Sequence, residues 1–366
     1  MSIKIRVNGE VYENFKEATL YSSLKTISGS YTILSTADEN DLLPIKVTDS
    51  VEILVDDVAA LTGFVDSLSG SHSKDTHSIT INGRDKTADI IDSTVGSKKE
   101  YKGSLSLKKL IENILSNSGI SGIKVIDEIG TLEQFTSSDL ISAEIGQSIF
   151  DFIDTYASKK QALLTTDGLG NVVITRGSTI SSGVTLVKLK NDKSRRNNVI
   201  SSSINIDNSN RFNKYIVQTQ SNPLFAVSSS NTEDDTNINA SAVDSEVRAS
   251  RVLEFQAEET LDSKESKKRA EWEANLRRSN SFKYTATVQG HSHSNDIWRP
   301  NRLVAVIDEF WDISSNGLLI TDVEYTFSTG GSKTKLTMVY PESYTVQAEL
   351  DASIAAKQDL GGLFKL

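Results

Sequence analysis

Over roughly the first ninety residues, apolar and polar positions alternate with a period of two, the repeat of a strand with one buried face. Ile3, Ile5 and Val7 share a face, and Asn8-Gly9 is placed to turn the chain before Val11-Tyr12. Further strand-like runs are Thr19–Leu24, Gly29–Leu34, Val51–Val55, Leu61–Leu68 and His77–Asn82, with Asp56-Asp57 as a turn and Gly70–Asp75 as a polar loop. Short strands at this spacing predict a small barrel or sandwich. The period then becomes helical. Leu107, Leu110, Ile111, Ile114 and Leu115 recur at i, i+3, i+4, i+7 and i+8, with Ser106 as a cap and Gly119 at the C′ position. Ile145, Ile149, Phe152, Ile153 and Tyr156 predict a second amphipathic helix. A hairpin comes next, Ala162–Thr166 and Val172–Arg176, around the turn Asp167-Gly168-Leu169-Gly170-Asn171.

Strand character returns at Val199–Ile206 and Lys214–Gln220. Ala226–Ser250, rich in Ser, Asn and acid, predicts a mobile loop. A helix is expected from about Ser263 to Arg278, with Asp262-x-x-Glu265 as a capping box and Glu265/Arg269 and Glu273/Arg277 as i,i+4 pairs. Strands resume at Phe282–Val288, Arg302–Ile307, Leu318–Thr326 and Lys333–Tyr340, the last two joined by a turn at Thr329-Gly330-Gly331-Ser332. After Pro341 a tail runs to Leu366; Val346–Lys357 has the composition of a helix, and Gly361-Gly362 interrupts the tail beyond it.

The expected fold class is a mixed, β-rich α+β chain: two small antiparallel β-barrel-like domains with an intervening α+β domain and a helical insertion. The expected boundaries are 1–96 for the first β domain, 97–190 for the α+β domain, and 191–225 with 280–341 for the second β domain. The polar loop and helix insertion then occupy 226–279, and the tail 342–366. No repeat shows at the level of residues, yet the two β parts can still be structural duplicates.

Charge and composition narrow the function. Lys plus Arg is 39 and Asp plus Glu is 49, so the net charge is 39 − 49 = −10, which argues against coating nucleic acid or anionic lipid through bulk charge. No stretch approaches the ~18–20 apolar residues of a membrane span, so no membrane insertion is expected. Met-Ser-Ile-Lys-Ile-Arg-Val at the N-terminus reads as a strand rather than a signal peptide. The absence of Cys removes disulfides, thiolate metal sites and thiol nucleophiles.

Candidate chemistry is sparse. His291-Ser292-His293, with Asp296 nearby, is the best metal pattern, but it lacks a third strong ligand and reads as a solvated loop between strands. Gly330-Gly331-Ser332-Lys333-Thr334 sits between strands, where a phosphate loop must open a helix, and Gly168-x-Gly170 is a hairpin tip for the same reason. Asp38-Glu39-Asn40-Asp41 lacks the Gly and Glu of an EF-hand. Lys193-Ser194-Arg195-Arg196 and Lys98-Lys99 carry no interleaved aromatics and read as solvated edges. No Gly-x-Ser-x-Gly elbow is present. These patterns leave no catalytic residue, metal or cofactor to name.

One stretch is distinctive. Ile81-Asn82-Gly83-Arg84-Asp85-Lys86-Thr87-Ala88-Asp89-Ile90-Ile91-Asp92, preceded by Leu61-Thr62-Gly63-Phe64-Val65-Asp66-Ser67, resembles the baseplate hub proteins of Mu-like contractile phage tails. Ile297-Trp298-Arg299-Pro300-Asn301, the strand Leu303–Ile307 after it, the helix Lys264–Arg278 before it and the Leu164–Arg176 hairpin are placed as in that family. Locally, Gly83 lets the backbone leave its strand, and Arg84 and Lys86 lie close in sequence to Asp85, Asp89 and Asp92, enough for an ion-pair knot at a domain corner. Pro300 suits a strand start, and Trp298 an anchor in a core or subunit interface. Gly83, Arg84, Asp85, Lys86, Asp89, Trp298, Pro300 and Asn301 are therefore expected to be structural.

The resemblance implies a non-enzymatic homotrimer in the virion tail baseplate, assembled in the host cytoplasm, whose ring adapts the sixfold tail tube to a trimeric tail spike protein. Its partners would be the spike, the tube and other baseplate proteins, with DNA passing through the channel without sequence-specific binding. Three chains would carry 3 × −10 = −30, and an acidic channel would keep DNA from adhering. The rival reading is a cell-wall (peptidoglycan) binding or hydrolysing module seated in 97–190; clearing of purified wall would favour the enzyme, and pull-down without clearing the binder.

Overall fold

A computed structural model describes residues 3–13, 15–35, 45–73, 77–97, 100–136, 141–193, 195–220, 237–256, 263–294 and 296–344. The chain opens with seven strands: β1 (Ile3–Val7), β2 (Glu10–Tyr12), β3 (Glu17–Ser23), β4 (Ser30–Ser35), β5 (Ser50–Val55), β6 (Val58–His72) and β7 (His77–Asp85). The alternation seen in sequence is the alternation of burial, for Ile3, Ile5 and Val7 are buried while Lys4 and Arg6 are half-buried. The turns also fall where expected, with Asn8 (φ 51) and Gly9 (φ 93) between β1 and β2 and Asp56 (φ 48) and Asp57 (φ 65) between β5 and β6.

The short helix α1 (Ala88–Asp92) leads into the α+β layer. This comprises β8 (Glu100–Tyr101), α2 (Leu107–Asn117), β9 (Val125–Asp127), β10 (Ile141–Ser142), α3 (Ile149–Lys159), β11 (Leu163–Thr166) and β12 (Val172–Thr175). Ser106 caps α2, its side chain accepting from Lys109 N–H at 3.2 Å, and Gly119 comes after the helix at φ +78. The five apolar positions read from sequence in α2 are all buried, each worth roughly 1.5–3 kcal/mol of burial. They meet Ile149, Phe152, Ile153 and Tyr156 of α3 in one core. Ile145 is not part of α3. Gly146 at φ +82 turns the chain, Ser148 caps the helix by accepting from Asp151 N–H, and Ile145 is left 96% exposed.

The next strands are β13 (Ser181–Lys188), β14 (Val199–Ile206), β15 (Lys214–Gln220), β16 (Asn237–Val243) and β17 (Val252–Gln256). After α4 (Ser263–Asn280) come β18 (Phe282–Gln289), β19 (Ser292–His293), β20 (Asp296–Ile297), β21 (Leu303–Asp308), β22 (Ile313–Ser328) and β23 (Gly331–Val339). Packing divides the chain into two units, one of residues 1–203 and 285–338, the other of residues 204–284 and 339–366. In the second, β15 lies between β16 and β17, and α4 covers this sheet. Ala242, Val217 and Ala270 form its small core, and Arg211 holds Asp244 inside it at 2.7 Å.

Two expectations are corrected. Among the described residues, neither β part closes into a barrel. β22 is long enough to pair β21 through Ile313–Leu319 and then β3 through Asp322–Phe327, so strands from both ends of the chain share one thirteen-stranded sheet of order β14-β18-β23-β22-β3-β4-β7-β6-β5-β1-β2, with β13 on β21 and β21 on β22. In the first part, the edge of β3 that closure would have satisfied is paired with β22 instead. Within Ala226–Ser250, residues 237–243 are strand β16 rather than loop; its Ala242 packs beside Ala270 and Ala274 of α4, small side chains that raise no hydropathy signal. Residues 226–236, the Asp38–Asp41 acidic run, Lys98-Lys99, the capping Asp262 with the Glu265 side chain, and the tail beyond 344 lie outside the described residues. The Glu273–Arg277 pair forms at 2.7 Å. Among the described residues, no helix is long and apolar enough to cross a membrane.

The two β parts repeat one another. From one edge, the first reads β3-β4-β7-β6-β5-β1 and the second β14-β18-β23-β22-β21-β13, and the strands so matched occur in the same order along the chain. In each, a long strand (β6, β22) pairs a short one along its first half and forms a hairpin with the next (β7, β23). The parts differ in the direction of one pair: β1 runs antiparallel to β5, β13 parallel to β21.

Candidate functional site

Two corners of the fold collect the residues singled out in the sequence. The first lies where β7 ends. Gly83 and Gly63 let β6 and β7 approach closely, because a Cβ on Gly83 would stand 2.1 Å from Phe64 O and one on Gly63 1.8 Å from Arg84 O. Asp85, 1% exposed, accepts from Gly29 N–H at 3.0 Å through one oxygen, and from Ser28 Oγ and Thr87 N–H at 3.0 Å through the other. Thr87, fully buried, also donates its hydroxyl to Ile27 O. Burial pushes the Asp85 carboxyl up, and the hydrogen bonds from Thr87 and Gly29 offset only part of that. Its role is that of a buried staple joining the β3–β4 turn to the start of α1.

Arg84 lies on the outer side of this corner. It donates to Asp66 at 2.7 Å and to both oxygens of Asp92 at 2.6 and 3.2 Å, and these partners hold the guanidinium strongly protonated and Asp92 below the usual carboxylate range. Asp89 is pushed up, first by burial and then by Asp92. The ion-pair knot is thus Asp66–Arg84–Asp92. Lys86 forms no ion pair among the described residues; its methylenes lie against Gly170 at the tip of the β11–β12 hairpin. Thr62 N–H donates to Gly168 O at 2.7 Å in the same hairpin, which ties the α+β layer to β6. Asp66, Thr87 and Gly63 stand in the stretches quoted from the sequence but were not singled out there: the β6–β7 register gives Gly63 and Asp66 their roles, and the fold of the chain after Asp85 gives Thr87 its own.

The second corner lies ahead of β21. Trp298 is 3% exposed, with its ring 4.3 Å from that of His293, and its carbonyl accepts from Tyr325 OH. Asn301, next after Pro300, is left-handed at φ 59 and buried. It donates to Thr175 Oγ1 at 3.1 Å and Arg176 O at 2.9 Å, and accepts from Ser178 N–H at 2.8 Å. One side chain thereby anchors the exit of the α+β layer to the start of β21.

His291 is not solvated, contrary to the loop reading: it is fully buried, with Nε2 3.1 Å from Thr326 O, because β18 carries it under β22. His293 lines a cleft of about 230 Å3 with Ser182, Asp296, Arg299 and Arg302. Burial pushes both histidines down. Among the described residues, no group of three or more His, Asp or Glu side chains could hold a metal ion.

Comparison with known proteins supplies the context for this architecture. Residues 2–85 match the family described as Mu phage baseplate assembly protein GpP-like, N-terminal, and residues 262–347 match Mu phage baseplate assembly protein GpP, fourth domain. The baseplate hub protein gp44 of Escherichia phage Mu is 21% identical over 360 residues, covering 96% of this chain and 90% of that protein. The chain is a Mu-like baseplate hub protein. Among solved structures, the hub protein resembles the 43 kDa tail protein of prophage MuSo2 from Shewanella oneidensis, with a TM-score of 0.79 at 25% identity, covering 94% of this chain and all of that one. The tail protein from Neisseria meningitidis MC58 shares the fold, with a TM-score of 0.74 at 19% identity over 94% of this chain and 99% of that one. The first family match ends at Asp85, the buried staple, and the second contains the Trp298–Asn301 corner.

Proposed function

We propose that the hub protein assembles as a homotrimer in the tail baseplate, forming a ring that adapts a sixfold tail tube to a trimeric spike and leaves a channel for DNA. The observation that carries this reading is the duplicated strand order. Three chains with two matching β parts each supply six similar units, which is what a junction between sixfold and threefold symmetry requires. The two corners would act structurally, Asp85 and Asn301 holding the α+β layer against both parts so that each chain enters the ring as a stiff piece. Chemistry is not needed for this role, and neither corner has the shape of a reactive site: the Asp85 carboxylate is enclosed by donors and Arg84 is neutralised by two acids. The net charge of −10 per chain suits a channel that DNA must leave without sticking. Light scattering across a range of concentrations tests the ring. A species at three times the chain mass is expected, and failure to assemble both alone and when co-expressed with the spike overturns the reading.

A further inference from the structure

The duplicated sheet has a contact in it that is used only once. In the second β part, the latter half of the long strand β22 is covered along its outer edge by β3, six residues of each in antiparallel register from Asp322↔Ser23 to Phe327↔Ala18. The equivalent edge in the first part is the latter half of β6. Its inner side pairs β7, while β5 ends its pairing at Phe64, so no described strand lies along the outer side of Asp66–Ser71. The strand that matches β3 in the second part is β14, and β14 stands at the end of the sheet, paired among the described strands with β18 alone.

Building on the ring reading, we infer that β14 of one copy pairs antiparallel with the latter half of β6 in the next copy, repeating between chains the β3–β22 seam that each chain already makes within itself. Each long strand parts from its short partner shortly before an aspartate, β6 from β5 ahead of Asp66 and β22 from β21 ahead of Asp322. The lengths are compatible: Asp66–Ser71 is six residues, as many as pair in the β3–β22 seam, and β14 has eight. Beyond Asp66, which Arg84 pairs, and the register shift beside it between Val65 and Ser67, the two edges carry no Lys, Arg or Pro: β14 reads Val-Ile-Ser-Ser-Ser-Ile-Asn-Ile and Ser67–Ser71 reads Ser-Leu-Ser-Gly-Ser. Ile200 and Ile206 are 44% and 61% exposed on β14.

On β13 the unpaired edge is treated differently. There the side chains of Asn198 and Asn197 bond Thr185 O, Val187 N–H and Leu189 N–H at 2.7–2.8 Å and stand in for a missing strand. On β14 only the first two carbonyls, of Val199 and Ile200, are met in a similar way, by Lys188 Nζ. Because the β14 and β6 edges differ, the contact is head-to-tail, and three such contacts close a ring of six similar β units.

The chain has no Cys, so paired thiols test this directly. Ser67, Ser69 or Ser71→Cys is combined with Ser201 or Ser203→Cys, each variant checked by circular dichroism for the native spectrum, then oxidised and run without reductant. At least one pairing is expected to give a ladder that ends at three copies and collapses on reduction, while every single variant stays at one. A species of three copies by mass that cross-links in none of the pairings overturns the edge contact and leaves the ring standing. Cross-linking of single variants to dimers overturns it too, since that marks a two-fold contact. No assembly, alone or with the spike, overturns both.

Discussion

At Asp85 a carboxylate is held out of water with both oxygens accepting from backbone N–H groups, Gly29 on one side and Thr87 on the other. An amide in its place offers one acceptor and sets an N–H against an N–H. Asp85→Asn is therefore expected to cost about 1–3 kcal/mol, read as a lower urea midpoint at unchanged slope. A midpoint equal to that of the parent chain would show that the staple is not built as described. Residue identities were legible here, since Gly83, Arg84 and Asp85 stand out as a motif, but their division of labour was not. Sequence placed Arg84, Lys86 and three acids in one knot. The structure buries Asp85 apart from Arg84, gives Arg84 the cross-strand Asp66, and lays Lys86 along Gly170. Strand register decides this, because neighbours in sequence on a strand point to opposite faces.

At the scale of elements, the β3–β22 seam turns on Asp322, whose one oxygen accepts from Tyr21 OH at 2.6 Å and Ser23 Oγ at 2.7 Å, and whose other accepts from Thr321 Oγ1 at 2.7 Å. Burial pushes its carboxyl up, and these hydroxyls more than offset that, holding it below the ordinary value; Tyr21, half-buried and donating to it, is pushed up to about 12. A depressed carboxylate stabilises the fold above its unfolded pKa of about 3.9, and that contribution is lost as pH falls through the lower folded value. Amide exchange along Tyr21–Ser23 is thus expected to accelerate, relative to the rest of the sheet, as pH falls below about 4. In Asp322→Asn that acid-side acceleration should vanish; its persistence would assign the effect to another group. Among elements, helices with strong periodicity such as α2 were legible with their caps. β16 was not, since the alternation of Ile238, Ala240 and Ala242 with Asn237, Asn239 and Ser241 is carried mostly by alanines and stands out little within a run rich in Ser, Asn and acid.

For the whole molecule, the segment between β14 and β18 behaves as an insertion. Asp207 N–H donates to Ser281 O at 2.8 Å, so its two ends lie one hydrogen bond apart, and the matching connection in the first β part, between β3 and β4, is only a short turn. Replacing residues 208–280 by a short Gly/Ser loop should leave the thirteen-stranded sheet folded, with a cooperative melt and protected amides in β21 and β22. A molten product, without protection in those strands, would show that the inserted unit is integral to the sheet.

Sequence alone determined what depends on near neighbours: the strand and helix periods, the turns at Asn8-Gly9 and Asp56-Asp57, the Ser106 and Gly119 ends of α2, and a motif specific enough to point to tail hubs. It could also exclude thiol chemistry outright. Only the tertiary structure decided that the two β parts share one open sheet, that they repeat strand for strand, and that Asn301 ties Thr175 to the start of β21 across 126 positions. Such facts depend on which distant edges meet. Backbone donors and acceptors along a strand edge are the same for every sequence, so pairing partners are chosen by length, register and the packing of both faces, none of which a local pattern encodes.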